Sequence, residues 1–319
     1  MKQKSRWGLI PSRERPRLIW LLGVLVPIIS AVAGPAFGAV EITDDRGRTV
    51  RLERPARRII ALYGAFNEIL DALGLADRIA ARTSADRLPP SIVEKPVIGT
   101  HMRPNYELVL GQRPDLVLQM AGRDEASQAV EVLEKYGVPT ALFRVDSFDD
   151  LFALIKRLGV LTNVPDRADG LIAKMKARLD RVGALILEPT RPTVFFEVRY
   201  PNLLGAGGGS MVDEIIRAAG GKNVLVGPKK FFRLGEEELL RLDPDFYLIQ
   251  QGPMNPNPIP LDQRSHFLTL NAVENGRVLM VDEQKYSRPG PRNLEAVEEL
   301  AAWLHPEAAT RIEHGREGE

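Results

Sequence analysis

The chain has 319 residues, of which 44% are hydrophobic and 27% charged, with a formal net charge of +1 and no cysteine. That is a globular composition at a length sufficient for two domains. The near-zero charge argues against nucleic acid or an anionic membrane as partner, and the lack of cysteine excludes disulfides and thiol chemistry.

Lys2, Lys4, Arg6, Arg13, Arg15 and Arg17 face a single Glu14 in the first residues. The apolar run LIWLLGVLVPIISAVA and the small residues GPAFGA follow. This order predicts a cleaved secretory signal peptide over residues 1–38. The apolar run is about 16 residues long and broken by Pro27, short of the roughly 20 that a membrane span needs. Without cysteine there is no acceptor for a lipid anchor. The expected location is therefore the periplasm, free of the membrane, and the remainder of the chain is mildly acidic.

Residues 40–52 alternate around a DDRG turn and predict a β-hairpin. RRIIALY reads as a buried strand, and Phe66, Ile69, Leu70 and Leu73 keep helical spacing up to Gly74. A strand at 78–82, a short helix at 106–110, a strand at 115–120, a helix at 125–136 capped by Gly137, and a strand at 140–145 follow. Strands alternating with helices over short loops predict an α/β lobe with a largely parallel sheet.

Residues 166–188 carry Leu171, Met175, Leu179, Val182 and Ile186 as one apolar stripe, with Asp166 as candidate N-cap. A helix of that extent is roughly 34 Å long. It is a rod, unlike a Gly/Ser-rich linker. A second α/β half follows: the strand RPTVFFEVRY, a helix at 211–219, a short helix at 236–242, a strand at 246–250, a helical turn at 268–271, a strand at 277–281 and a closing helix at 293–304. The expected organisation is a signal peptide at 1–38, an N-terminal lobe at 39–163, a connecting helix at 164–188 and a C-terminal lobe at 189–319. Both lobes are expected to be Rossmann-like.

One phrase occurs twice. NYELVLGQRPDLVLQ and EEELLRLDPDFYLIQ each run from an acid through a short apolar turn to Pro-Asp and an apolar strand. Together with DDRGRTVRLERPARRIIAL and NEILDALGLADRIAA, this order resembles the periplasmic substrate-binding proteins of iron-siderophore, haem and cobalamin ABC importers. The resemblance covers most of residues 40–305. It implies a monomer that carries a small molecule to a two-fold permease in the inner membrane. It also implies one docking glutamate per lobe, which by position are Glu107 and Glu237. Either acid could instead serve its helix dipole alone, at about 0.3–1 kcal/mol.

Cargo in such a fold belongs at the ends of the strands, between the lobes. Tyr63, Phe66 and Asn67 follow the first strand, and His101 and Arg103 sit in the loop GTHMRPN. Met120 and Arg123 end the next strand. The second half offers Arg199 and Tyr200, then Lys230, Phe232 and Arg233, then Gln250, and finally Tyr286 and Arg288. Arginine forks and aromatic faces suit a large, flat, partly anionic ligand. A ferric siderophore is the first expectation, with haem or a corrinoid as the alternative. No covalently bound cofactor is expected. His101 is a candidate haem ligand, with Tyr200 or Tyr63 opposite. No His/Cys/Asp cluster has the spacing of a tight metal site. His305 and His314 are expected in a solvated tail.

The competing class is an exported α/β enzyme. GAGGGS lacks the lysine of a phosphate loop and does not follow the first strand. Its glycines are expected to let a ligand approach the backbone.

Overall fold

The computed structural model describes residues 38–122, 124–186 and 191–309. The expected signal peptide up to residue 37, Arg123, the far end of the connecting helix at 187–188 and His314 lie outside them.

Strand β1 (Val40–Thr43) pairs antiparallel with β2 (Thr49–Leu52). In the turn between them Asp44 Oδ1 accepts from the backbone N–H of Arg46 at 3.0 Å and of Arg48 at 3.1 Å. Strand β3 (Ile59–Ala61), helix α1 (Ala65–Ala72), β4 (Ile79–Ala81), α2 (Tyr106–Gly111), β5 (Leu116–Met120), α3 (Asp124–Lys135) and β6 (Thr140–Phe143) follow. The four strands β4-β3-β5-β6 form one parallel sheet. They are short apolar runs buried on both faces, as a helix-covered sheet requires.

Helix α4 (Phe148–Thr162) is not anticipated by the strand-helix pattern above. Its signal was nevertheless in the sequence. Ser147 Oγ accepts from Asp150 N at 3.1 Å, and Asp150 Oδ2 accepts from Ser147 N at 3.0 Å. That is a capping box, written as Ser-x-x-Asp before an apolar run. Asn163, in the left-handed region at φ 56°, ends the helix and turns the chain straight into α5 (Pro165–Leu185).

Helix α5 lies in chain order between the strands of the two sheets and is 21 residues long, hence about 31 Å. Its N-cap is Val164, with Pro165 opening the helix. Asp166 therefore lies in the first turn rather than at the cap, because proline's fixed φ suits the first helical position. Met175 and Val182 are buried, and Leu171, Leu179 and Ile186 are partly buried against the same core. A Cβ on Gly159 of α4 would collide with the Ala168 Cβ, so the two helices lie backbone to backbone there.

The second half adds β7 (Thr193–Arg199), β8 (Leu204–Ala206), α6 (Met211–Ala218), β9 (Lys222–Asn223), β10 (Phe231–Arg233), α7 (Glu236–Leu242), β11 (Phe246–Gln251), α8 (Asn271–Glu274), β12 (Val278–Asp282), α9 (Glu283–Tyr286) and α10 (Asn293–Leu304). Its sheet runs β10-β8-β7-β11-β12, with β9 beside β7. Strands β7, β9, β11 and β12 are parallel, while β8 and β10 are antiparallel. The helical turn expected at 268–271 is displaced to Ser265–Phe267 and α8. Arg178 of α5 forks onto Glu298 of α10 through two 2.8 Å hydrogen bonds, clamping the rod to this half. Both sheets belong to one compact unit.

The repeated phrase has a structural job in both halves. Asp115 accepts from the backbone N–H of Arg57 at 2.8 Å and Arg58 at 2.9 Å, just before β3. Asp245 accepts from Thr193 N at 2.8 Å and Thr193 Oγ1 at 2.7 Å, at the start of β7. Each Pro-Asp aspartate thus clasps the first residues of the parallel strand beside its own. The clasp sets the register Ile59↔Leu116 in one sheet and Phe246↔Val194 in the other.

Candidate functional site

The carboxyl ends of β3 and β5 in the first half, and of β7, β11 and β12 in the second, carry the residues expected to meet cargo. Three of them converge. The Tyr63 and His101 rings meet edge to face at 5.9 Å. From the other half, the Arg288 guanidinium lies 5.9 Å from the Tyr63 ring centroid. Gln119, fully buried in β5, donates from Nε2 to the His101 carbonyl at 2.8 Å and so fixes the loop that carries the imidazole. A glutamine inside the apolar run LVLQM was the available signal for that role.

Charge gathers beside this cluster. Gly64 leaves space in which the Asp86 carboxylate and Arg288 approach each other, and a Cβ there would collide with Asp86 Oδ1. Asp86 is 3% exposed and accepts from Thr83 N at 3.0 Å and Asn67 Nδ2 at 3.3 Å. Burial pushes the Asp86 carboxyl up, against the Thr83 hydrogen bonds and Arg288. Burial likewise raises Glu283, against the Met254 N–H and Arg288. On α1, burial lifts Glu68 to about 7, although Arg292 and Arg288 pull it down. Arg292 Nε stands 4.0 Å from Glu68 Oε2. Sequence reasoning missed Asp86, Glu68 and Glu283, because only the meeting of the halves buries them.

Arg199 ends β7 half-buried, and its Nε is buried with no hydrogen-bond partner among the described residues. An unsatisfied cationic donor is costly and is suited to an anionic group supplied from outside. Arg103 is exposed on its loop, and Met120 is half-buried against the core.

Several expected site residues lie elsewhere. Phe66, Asn67, Gln250 and Tyr286 are each 0% exposed, so they support the site from within and do not present a surface. Phe66 packs on Phe143 at 5.9 Å and Tyr286 on Phe196 at 6.1 Å. Lys230 pairs with Asp146 of the first half, which uses its charge to hold the halves together. Phe232 packs into the apolar cluster of the second half and covers Gly207. Arg233 is exposed on the β10 strand paired with β8. The Tyr200 hydroxyl donates to Glu236 at 2.9 Å.

The glycine loop also reads differently. Gly207 N donates to Lys230 O at 2.8 Å, and a Cβ on Gly208 would stand 2.8 Å from Gly227 O. The backbone that approaches these glycines is the chain's own 227–230 segment, not a ligand. His305 is 2% exposed, tucked against Gly220, and not solvated. A groove of about 520 Å³, lined in part by Arg191, Phe246, Arg277 and Trp303, lies at the opposite end of β7 and β11. Ligands in open α/β sheets bind at the carboxyl ends, so this groove is the wrong edge for cargo.

Glu107 is exposed in the first turn of α2, whose cap is Asn105, accepting from Leu108 N at 3.1 Å. Glu237 is exposed in the first turn of α7. Its neighbour Glu236 is engaged by Tyr200 and His266, and Glu238 lies 3.9 Å from Arg241. Neither Glu107 nor Glu237 is an N-cap.

Among the described residues no helix is long and apolar enough to cross a membrane. A family profile described as periplasmic binding protein matches residues 59–285. An ABC transporter substrate-binding lipoprotein of Bacillus subtilis, YvrC, is 27% identical over 84% of this chain and 86% of its own length. A vitamin B12-binding protein of Vibrio parahaemolyticus is 21% identical over 77% and 88%. The apo structure of the periplasmic heme-binding protein RhuT from Roseiflexus sp. RS-1 aligns with TM-score 0.69 at 25% identity, over 79% of this chain and 99% of that one.

Proposed function

This chain belongs to the periplasmic binding protein family, and from that premise we propose that its cargo is a metal-bearing tetrapyrrole, haem or a corrinoid, held between its two halves. The chain is a non-enzymatic substrate-binding component of the ABC importer class. The observation that carries the tetrapyrrole reading is the cluster of Tyr63, His101 and Arg288. A hexadentate ferric siderophore fills the coordination sphere of its own iron and has no use for a protein donor. A haem leaves axial positions open, which imidazole and phenol can occupy, and a corrinoid has an exchangeable axial position for one of them. Arg288, Arg103 and the unsatisfied Arg199 suit carboxylates at the rim of such a ring. The vitamin B12-binding and heme-binding relatives favour the same class.

In this reading residues 1–38 direct export and are removed, leaving the protein untethered in the periplasm. The lobes 39–163 and 189–319 hold cargo in a cleft whose walls the rigid connecting helix at 164–188 keeps nearly fixed. Glu107 and Glu237, one per half, dock on a two-fold permease.

The test is a visible-light titration of the apo protein with hemin, cobalamin and a ferric catecholate. The expected result is one-to-one binding of hemin or cobalamin, with a spectrum that changes in His101→Ala. Saturation by the ferric catecholate alone overturns the tetrapyrrole reading and restores the siderophore.

A further inference from the structure

Three side chains far apart in the sequence meet beyond the carboxyl end of β7. Tyr200 follows β7, Glu236 opens α7, and His266 lies in the turn Ser265–Phe267. The Tyr200 hydroxyl stands 2.9 Å from Glu236 Oε1. His266 Nε2 stands 3.1 Å from the same oxygen and 3.4 Å from the hydroxyl. The Glu236 and His266 side chains are 46% and 39% exposed, so an ion and its waters can reach them.

We propose that this phenol, carboxylate and imidazole form a binding site for a transition-metal ion, with ferric iron the best match. An ion about 2.1 Å from all three atoms would see them at angles of roughly 90–110°. Such a three-donor face leaves the opposite side open for water or a small chelator. Two anionic oxygens beside one imidazole suit a hard or borderline cation.

The frame behind the triad is stiff. The Arg264 guanidinium lies 4.0 Å over the Tyr200 ring and is itself fixed by a buried salt bridge to Glu197. Phe267 packs on both the His266 ring, at 4.4 Å, and the Tyr200 ring, at 6.0 Å. The free phenol donates its proton to Glu236 Oε1. Metal binding replaces that proton, which leaves to solvent, and the Arg264 charge favours the resulting phenolate. The spacing of these residues hides the site from any motif, since each comes from a different element.

The test is a titration of the full chain with ferric nitrilotriacetate, followed in the visible. A tyrosinate-to-iron charge-transfer band should grow to one equivalent and be absent in Tyr200→Phe, whose ring still packs under Arg264. His266→Ala should weaken binding by more than the roughly 10–100-fold that loss of a supporting partner alone costs. His101→Ala and Tyr63→Phe should keep the band, which separates this site from the cargo cluster. No band in the native chain, or a band that survives Tyr200→Phe, overturns the proposal.

Discussion

Glu68 offers a test of how the two halves press together. It sits on α1 of the first half and faces Arg288 and Arg292, which follow β12 of the second. Burial dominates those charges, and the carboxyl titrates at about 7, against 4.5 in the open chain. Between those two values the folded protein keeps a proton that the unfolded chain has lost. Stability is therefore full below about 4.5 and falls as the pH rises towards 7. The full shift corresponds to roughly 3.5 kcal/mol at about 1.4 kcal/mol per unit. Glu68→Gln keeps the shape and removes the titration. Urea unfolding of both proteins, followed by circular dichroism at a series of pH values, isolates the effect as a difference. Native stability relative to the variant should drop by roughly 3 kcal/mol between pH 4.5 and pH 8. Asp86 and Glu283 shift in the same direction and largely cancel in that difference. A difference that is flat, or that rises with pH, would refute the argument, because it would mean that Arg288 and Arg292 outweigh burial.

Arg264→Leu should destabilise the protein by about 3–5 kcal/mol in the same unfolding assay, since it leaves Glu197, 0% exposed, charged beside Tyr247. Asp115→Ala and Asp245→Ala should each cost about 1–3 kcal/mol, as each strands two donors at the start of a neighbouring strand. Equal costs within error would support one role in both halves. Glu107→Ala and Glu237→Ala should lower stimulation of the permease ATPase in reconstituted membranes and leave cargo affinity unchanged. Glu238→Ala should leave both the stimulation and the cargo affinity unchanged.

How the chain folds was largely legible from residue order. Period-2 alternation marked the opening hairpin, apolar runs marked the parallel strands, and the Met175 and Val182 stripe marked the connecting helix. These are local signals, carried by backbone preference and by which side of each element is apolar. Helix α4 shows the limit of pattern reading, because its capping box lay in plain sight and still needed Gly159 against Ala168 to explain where the helix goes.

The site was legible only as a set of loops. Which of their residues face outward depends on how two halves far apart in sequence come together, and no local period encodes that. Tyr63, His101 and Arg288 meet, while Phe66, Asn67, Gln250 and Tyr286 sink into the interior although they stand at the same strand ends. Lys230 turns out to serve Asp146, and the glycines at 207–209 make room for the chain itself. Sequence alone determined the elements and their order, because those follow from short-range sterics and burial periodicity. Tertiary structure decided which charges are desolvated and which donors lack a partner, because desolvation is a property of the assembled surfaces.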